Sequence, residues 1–199
     1  MNLRKFHTII GLTLLIPFLL WIVTAMVFYF KPGYANAYEF LQVKTYPLNQ
    51  PLAVVPDSGW TEIRYVRTIL GSHLLAHTAE GWKNLDPTTG KPRPEPSKAE
   101  LGTLLMDAFT ANPSRYGQIS SISHDTIRTS TNILIVLDWS RLGLEQRGPD
   151  TERIDLLYKI HYLQWTGNRA LDKILGPVGL GLVLILSVVG VVLAFGKKR

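Results

Sequence analysis

The sequence predicts a membrane protein in which two transmembrane α-helices enclose one extracytoplasmic α+β domain. Three observations predict it. Residues 8–30 (TIIGLTLLIPFLLWIVTAMVFYF) carry no charged side chain, and neither do residues 174–196 (ILGPVGLGLVLILSVVGVVLAFG). About 20 apolar residues rising 1.5 Å each cross the ~30 Å hydrocarbon core of a bilayer, so each run is long enough to span it. Between the runs lies a stretch of ordinary mixed composition, the size of one domain, and a chain that crosses twice keeps that stretch on one side. The division this predicts is a first helix within residues 1–33, a domain over 34–149, an amphipathic interfacial helix within 150–173, and a second span with a basic tail over 174–199.

The formal net charge is +6. Much of the excess sits in Arg4, Lys5, Lys197, Lys198 and Arg199, beside the spans, where the positive-inside rule accounts for it. Both termini are therefore expected in the cytoplasm and the domain on the far side. No aromatic-plus-basic recognition motif accompanies the charge, so no nucleic-acid partner is expected. The chain has no cysteine, which excludes disulfides, thiolate nucleophiles, Cys-ligated metals and the C-x-x-C-H haem attachment. Ala35-Asn36-Ala37 resembles a leader-cleavage site, but a leader's apolar core is about 7–15 residues and this run is longer. A retained anchor is the expectation.

The first span holds Pro17, which a membrane helix tolerates when the freed carbonyl finds another partner. Phe28 and Tyr29 suit an interfacial aromatic belt, and Lys31-Pro32-Gly33 ends the helix. Residues 34–56 give little signal, and LNQPLAVVPDSG is turn-rich, suiting a surface excursion. Glu62 to Ile69, Ser72 to Thr78 and Gly81 to Leu85 are short and β-compatible, and Asp86 to Gly90 (DPTTG) is a turn cluster, so a small antiparallel meander is predicted. KPRPEP over residues 91–96 is neither helix nor central strand. Ser97 and Glu100 form a capping box, with Leu101, Leu104, Leu105, Ala108 and Phe109 at helical spacing behind it, up to Asn112-Pro113. Tyr116 to Ser123 and Asn132 to Asp138 are strand candidates, the second apolar on both faces as for a central strand. From Thr151 to Trp165 the pattern is helical, with Ile154, Leu157, Tyr158, His161 and Trp165 on one stripe.

Two terminal stretches and one internal turn together resemble the PepSY-associated transmembrane family. The first stretch is Arg4 to Gly11 (RKFHTIIG) with Trp21, Thr24 and Ala25; the second is Tyr158 to Leu163 (YKIHYL) with Gly167, Gly176, Val189 and Gly190. Between them Asp86, Thr89 and Gly90 match the D-x-x-T-G turn that closes a PepSY unit. The chain departs from better-known relatives in having two spans rather than four and Ala25 where glycine is commoner. The resemblance implies a bacterial inner-membrane protein with a periplasmic PepSY-like domain acting as a binding or inhibitory unit. Larger relatives imply another role, haem-b electron transfer in iron or siderophore reduction.

Of the five histidines, His7 and His161 each border a span and are the candidate haem ligands. They belong to opposite faces of the membrane, ~30 Å apart, so one haem would need a second copy or a partner's histidine. The plainer reading makes both of them interfacial residues. His73 and His77 have H-x-x-x-H spacing without the glutamate of a metalloprotease, and on a strand they stand ~13 Å apart, too far for one metal. Asp138, Glu145, Asp150, Glu152 and Asp155 alternate with Arg141, Arg147 and Arg153, a pattern expected of a salt-bridged surface rather than of paired catalytic carboxylates. No nucleophile elbow, phosphate-binding loop or dinucleotide fingerprint occurs, and no catalytic residue is assigned. Gly176, Gly179, Gly181, Ser187 and Gly190 leave room for close helix packing, within the chain or with a membrane or envelope partner or a second copy. The expected surroundings are thus the lipid bilayer and such a partner.

Overall fold

The computed structural model of the protein describes residues 2–196. Lys197, Lys198 and Arg199, on which part of the positive-inside expectation rests, lie outside the described residues. In chain order the elements are α1 (Leu3–Phe30), α2 (Tyr34–Ala37), β1 (Glu62–Thr68), β2 (Gly71–Thr78), β3 (Gly81–Leu85), α3 (Lys98–Phe109), α4 (Pro113–Tyr116), β4 (Ile119–Ser123), β5 (Thr126–Thr129), β6 (Leu134–Asp138), β7 (Gly143–Arg147), α5 (Pro149–His161) and α6 (Arg169–Phe195). They make two units: one holds the chain up to Ala35 and again from Asp150, and the other holds Asn36–Pro149.

In the first unit α1 starts five residues before the predicted span. Arg4 and Lys5 are good helix formers, and the Asn2 side chain accepts from the Arg4 N–H at 3.2 Å. The helix stops at Lys31, whose left-handed backbone (φ 49°) turns its N–H onto the Val27 carbonyl. Glycines set the contact with α6. A methyl group on Gly190 would lie 3.3 Å from His7 Cε1, and one on Gly11 would lie 3.7 Å from Leu186 Cδ1. On Gly179 it would meet Trp21 Cη2 and Leu163 Cδ1, both at 3.2 Å. As the contact climbs α1 from His7 to Trp21 it descends α6 from Gly190 to Gly179, so the two helices are antiparallel. Gly181, by contrast, faces nothing within 4 Å. The outer faces are uncovered: among the described residues of the pair only Leu14, Thr24 and Gly179 are buried, while Leu12, Ile16, Val23, Leu180, Leu184 and Val188 are exposed.

The helix α5 is shorter than its predicted stripe. It ends at His161; Leu163 takes a left-handed backbone (φ 56°) and turns inward, 7% exposed, which reverses the chain and leaves Trp165 outside the helix. Asn168 then caps α6, accepting from the Ala170 N–H at 3.0 Å.

The second unit is α+β with two antiparallel meanders, β1-β2-β3 and β4-β5-β6-β7. The hairpin register pairs Thr68 with Gly71 and Thr78 with Gly81, and both glycines, the residues that follow the turns, sit at positive φ (101° and 108°), a conformation glycine adopts without strain. After β3 the Asp86 carboxylate accepts from the N–H groups of Thr88 and Thr89 at 2.9 and 2.8 Å, and Gly90 closes the turn at φ 69°. Those bonds, Thr89 foremost, hold the Asp86 carboxyl below its usual pKa.

The capping box forms as expected: Ser97 Oγ accepts from Glu100 N, and Glu100 accepts from Ser97 N at 2.8 Å. The Ser97→Ala variant should lose about 1 kcal/mol of stability, readable as a lower denaturation midpoint, whereas the exposed Thr103→Ala should change it far less. Behind the cap, Leu101, Leu104, Leu105, Ala108 and Phe109 enter a core with Tyr116, Ile127, Ile135, Leu137 and Leu144. As predicted for a central strand, β6 lies between β5 and β7.

Three features differ from expectation. Both β5 (TIRT) and β7 (GLEQR) are strands that the sequence did not announce. Ahead of β4, Asn112 caps the short α4 and Gly117 takes φ 61°, so the strand begins only at Ile119. The excursion over residues 48–59 is not wholly at the surface: Leu52 and Val54 pack with Trp60 against Leu74, Ala76 and Leu85 of the smaller sheet.

Candidate functional site

His161 is held rather than free. Its Nδ1 lies 2.8 Å from Thr24 Oγ1, a residue 137 positions away, and that hydroxyl is also 2.7 Å from the Leu20 carbonyl. With the Thr24 proton given to Leu20, Nδ1–H of His161 donates to the remaining lone pair. The ring packs edge-on against Phe28 at 5.1 Å, and Phe28 stacks on Tyr158 at 4.6 Å. Thr24 is therefore the buried polar anchor of α1. His7 lies at the other end of the helix, against Gly190, and its Nδ1 is buried with no hydrogen-bond partner. From His7 to Thr24 the helix rises about 26 Å at 1.5 Å per residue, so His7 and His161 do not come together.

In the second unit His73 is completely buried and lies within a polar chain. Thr68 Oγ1 is 3.0 Å from its Nε2, and Asn84 Oδ1 is 3.2 Å from its Nδ1. Asn84 Nδ2 donates to the Trp139 carbonyl at 3.0 Å, and Trp139 Nε1 donates to the Arg93 carbonyl at 3.3 Å. The Arg93 guanidinium in turn donates to the carbonyls of Ser72 and Leu70. Burial, and then the positive charge of Arg93, lower the pKa of His73 from 6.5 to about 4, so the ring is neutral at pH 7. His77 instead bonds Thr61 Oγ1 at 2.8 Å and lies 5.1 Å from the Trp82 ring. The two histidines serve different local structures, and among the described residues no group of three His, Asp or Glu side chains is placed to hold a metal.

No family model, no curated protein and no solved structure matches this chain.

Asp138 and Glu145, two of the acidic residues singled out in the sequence, both face Arg141, at 2.7 and 3.1 Å. Around Arg141 the interleaved charges thus form a salt-bridged surface. A second polar cluster lies where the domain's first and last segments meet. Asn112 Nδ2 donates to Glu39 Oε2 at 2.7 Å, Tyr116 donates to Gln146 Oε1 at 3.0 Å, and Gln146 Nε2 donates to the Glu39 carbonyl.

The feature that sequence reasoning missed is the stretch Phe40–Thr45. Leu41 and Val43 are buried in the main core, while Phe40 is 78% exposed and Gln42 and Lys44 face outward. That alternation has the period of a strand. Yet its main-chain N–H and C=O groups make no hydrogen bond within the described residues, and pairing begins only where Tyr46 N–H meets the Arg67 carbonyl at 2.8 Å. A cleft of about 530 Å³ opens beside it, walled by Arg64 and Val66 of β1, Trp82 of β3 and Gly143 to Glu145 of β7. The apolar–polar alternation of F-L-Q-V-K was the available signal.

Proposed function

We propose that the protein is a membrane-anchored binding or regulatory module, with both termini cytoplasmic and residues 36–149 displayed in the periplasm of a bacterium as a PepSY-type domain. The observation that carries this reading is the antiparallel helix pair with its uncovered apolar faces. Two helices of mean hydropathy 2.4 and 2.8 bury few of their residues and leave most of their large side chains exposed, a surface that water penalises and lipid accepts. The other unit has its own apolar cores, as a self-contained recognition module requires. Because the chain lacks cysteine, single cysteines test the arrangement cleanly. A membrane-impermeant maleimide should label Ser121→Cys in cells with a permeabilised outer membrane, and Asn2→Cys only after the inner membrane is opened. Protection of Ser121→Cys in the first condition would overturn the reading.

His7 supports a second reading, haem-b electron transfer by an oligomer, because its buried Nδ1 has no partner. His7 and His161 do not fit one haem within a chain, so His7 would pair with its counterpart in a second copy. Bound between them, the group would supply one-electron chemistry. An oxidised and dithionite-reduced spectrum of protein expressed with haem separates the readings. The module reading expects no Soret band; a band abolished by His7→Ala would establish the second.

A further inference from the structure

We propose that Phe40–Thr45 is the docking edge for an extended polypeptide segment of a partner protein, which adds as a strand in the cleft between this stretch and β7. The inference rests on reading the domain as a binding module and names the kind of partner. Its basis is complementarity of partial charge. An extended backbone presents N–H donors and C=O acceptors alternately along its two edges, and a second extended backbone satisfies them in one pattern. Here the stretch is already held in place with alternate side chains inward: Leu41 (4% exposed) and Val43 (8% exposed) lock into the core, Tyr46 pairs with Arg67, and Lys44 Nζ lies 3.5 Å from the Asp107 carboxylate. The ordering entropy of the stretch is thus met by the fold, which is the condition for tight strand addition.

The opposite wall supplies the second edge. Among the described residues β7 is the last strand of its sheet, beside β6, so an inserted strand would bond Phe40–Thr45 on one side and approach β7 on the other. Natural folds blunt such an edge or cover it; this one leaves it beside an open cleft. The cleft's charges are already paired, Arg64 with Glu62 at 2.7 Å and Arg141 with Asp138 and Glu145. The remaining surface is uncharged, with Phe40, Val66 and Trp82 on the walls beside the neutral polar Gln42 and Thr45. The segment that fits is therefore extended and apolar on alternate residues, and not strongly charged.

The test uses the full chain in nanodiscs and linear dodecapeptides selected on it from a random phage library. Selected peptides should slow amide hydrogen exchange of Phe40–Thr45 by about tenfold or more. Methylating alternate peptide nitrogens should abolish binding. In a stretch of alternating side chains successive N–H groups point to opposite edges, so Gln42→Pro and Thr45→Pro each remove one donor, from different edges; both positions are exposed and outside any helix or paired strand, where proline is tolerated. One variant should lose binding and the other keep it. Loss in neither or in both, equal binding of the N-methylated peptides, or peptides that protect another surface would overturn the proposal. In the last case the module reading stands and only its docking edge is wrong. A chain that selects no peptide and forms no cross-linked adduct in cells from any exposed position of the domain would overturn both.

Discussion

Lowering the pH from 6.5 to 4.5 will destabilise the domain well before its carboxylates titrate, because of His73. The ring is neutral when folded, with its pKa lowered to about 4, whereas in the unfolded chain it takes a proton near pH 6.5. The unfolded state therefore binds more protons throughout the interval, and stability falls as the pH falls. The full loss across 6.5 to 4 is about 3 kcal/mol, at 1.36 kcal/mol per pH unit. Below pH 4 both states are protonated and this contribution levels off. Glu80, Asp86 and Glu100 have carboxyl pKa values held below their ordinary values. They withdraw stability only below about pH 4.5, so the window above it belongs to His73. Denaturation midpoints between pH 7 and 4.5 check this. In His73→Gln the slope above pH 4.5 should vanish, although the baseline falls because Thr68 and Asn84 lose their partner. A slope that survives the substitution would remove His73 as its source.

The substitution Gly179→Leu should separate the helix pair, while Gly181→Leu should leave it intact. Even a bare methyl at Gly179 meets Trp21 and Leu163 at 3.2 Å; leucine adds three further carbons where no space exists. Overpacking of this kind costs about 1–3 kcal/mol. Here it would push on the Leu163 turn that brings His161 to Thr24. Gly181 faces open space within the same helix, so its leucine variant controls for hydropathy and helix propensity. Paired cysteines at Gly11 and Leu186 should cross-link in the parent and in the Gly181→Leu background, and poorly in Gly179→Leu. Equal yields in all three would show that Gly179 is not a contact.

The parts of the fold legible in the sequence were those written in local chemistry. Charge-free runs gave both long helices, Ser97 and Glu100 gave the start of α3, and short β-compatible stretches beginning at or beside Gly71 and Gly81, followed by the DPTTG turn, gave the meander. The strands β5 and β7 escaped because TIRT is four residues long and GLEQR carries a glycine and two charges; each owes its conformation to β6 beside it. Both long helices begin ahead of their apolar runs, at Leu3 and Arg169, because polar residues such as Arg4, Lys5 and Arg169 are good helix formers and the N-caps that start the helices, Asn2 and Asn168, lie outside the runs. Of the candidate sites, the two ends of α1 were placed by counting residues. The Thr24 hydroxyl that holds His161 was not, because a bond across 137 positions leaves no local trace. Phe40–Thr45 went unread for a related reason: it has the alternation of a strand, but lacks the flanking turns and the partner by which strands are recognised.

The bond from Gln146 to the Glu39 carbonyl, with Asn112 and Tyr116 around it, joins the beginning of the domain to its end. A fold whose two loose ends are already clasped is a cassette. Residues 36–149 should tolerate excision with a short glycine bridge between their ends, relocation of those ends to another surface loop, or transplantation onto a different anchor. Its core and its clasp would then travel with it.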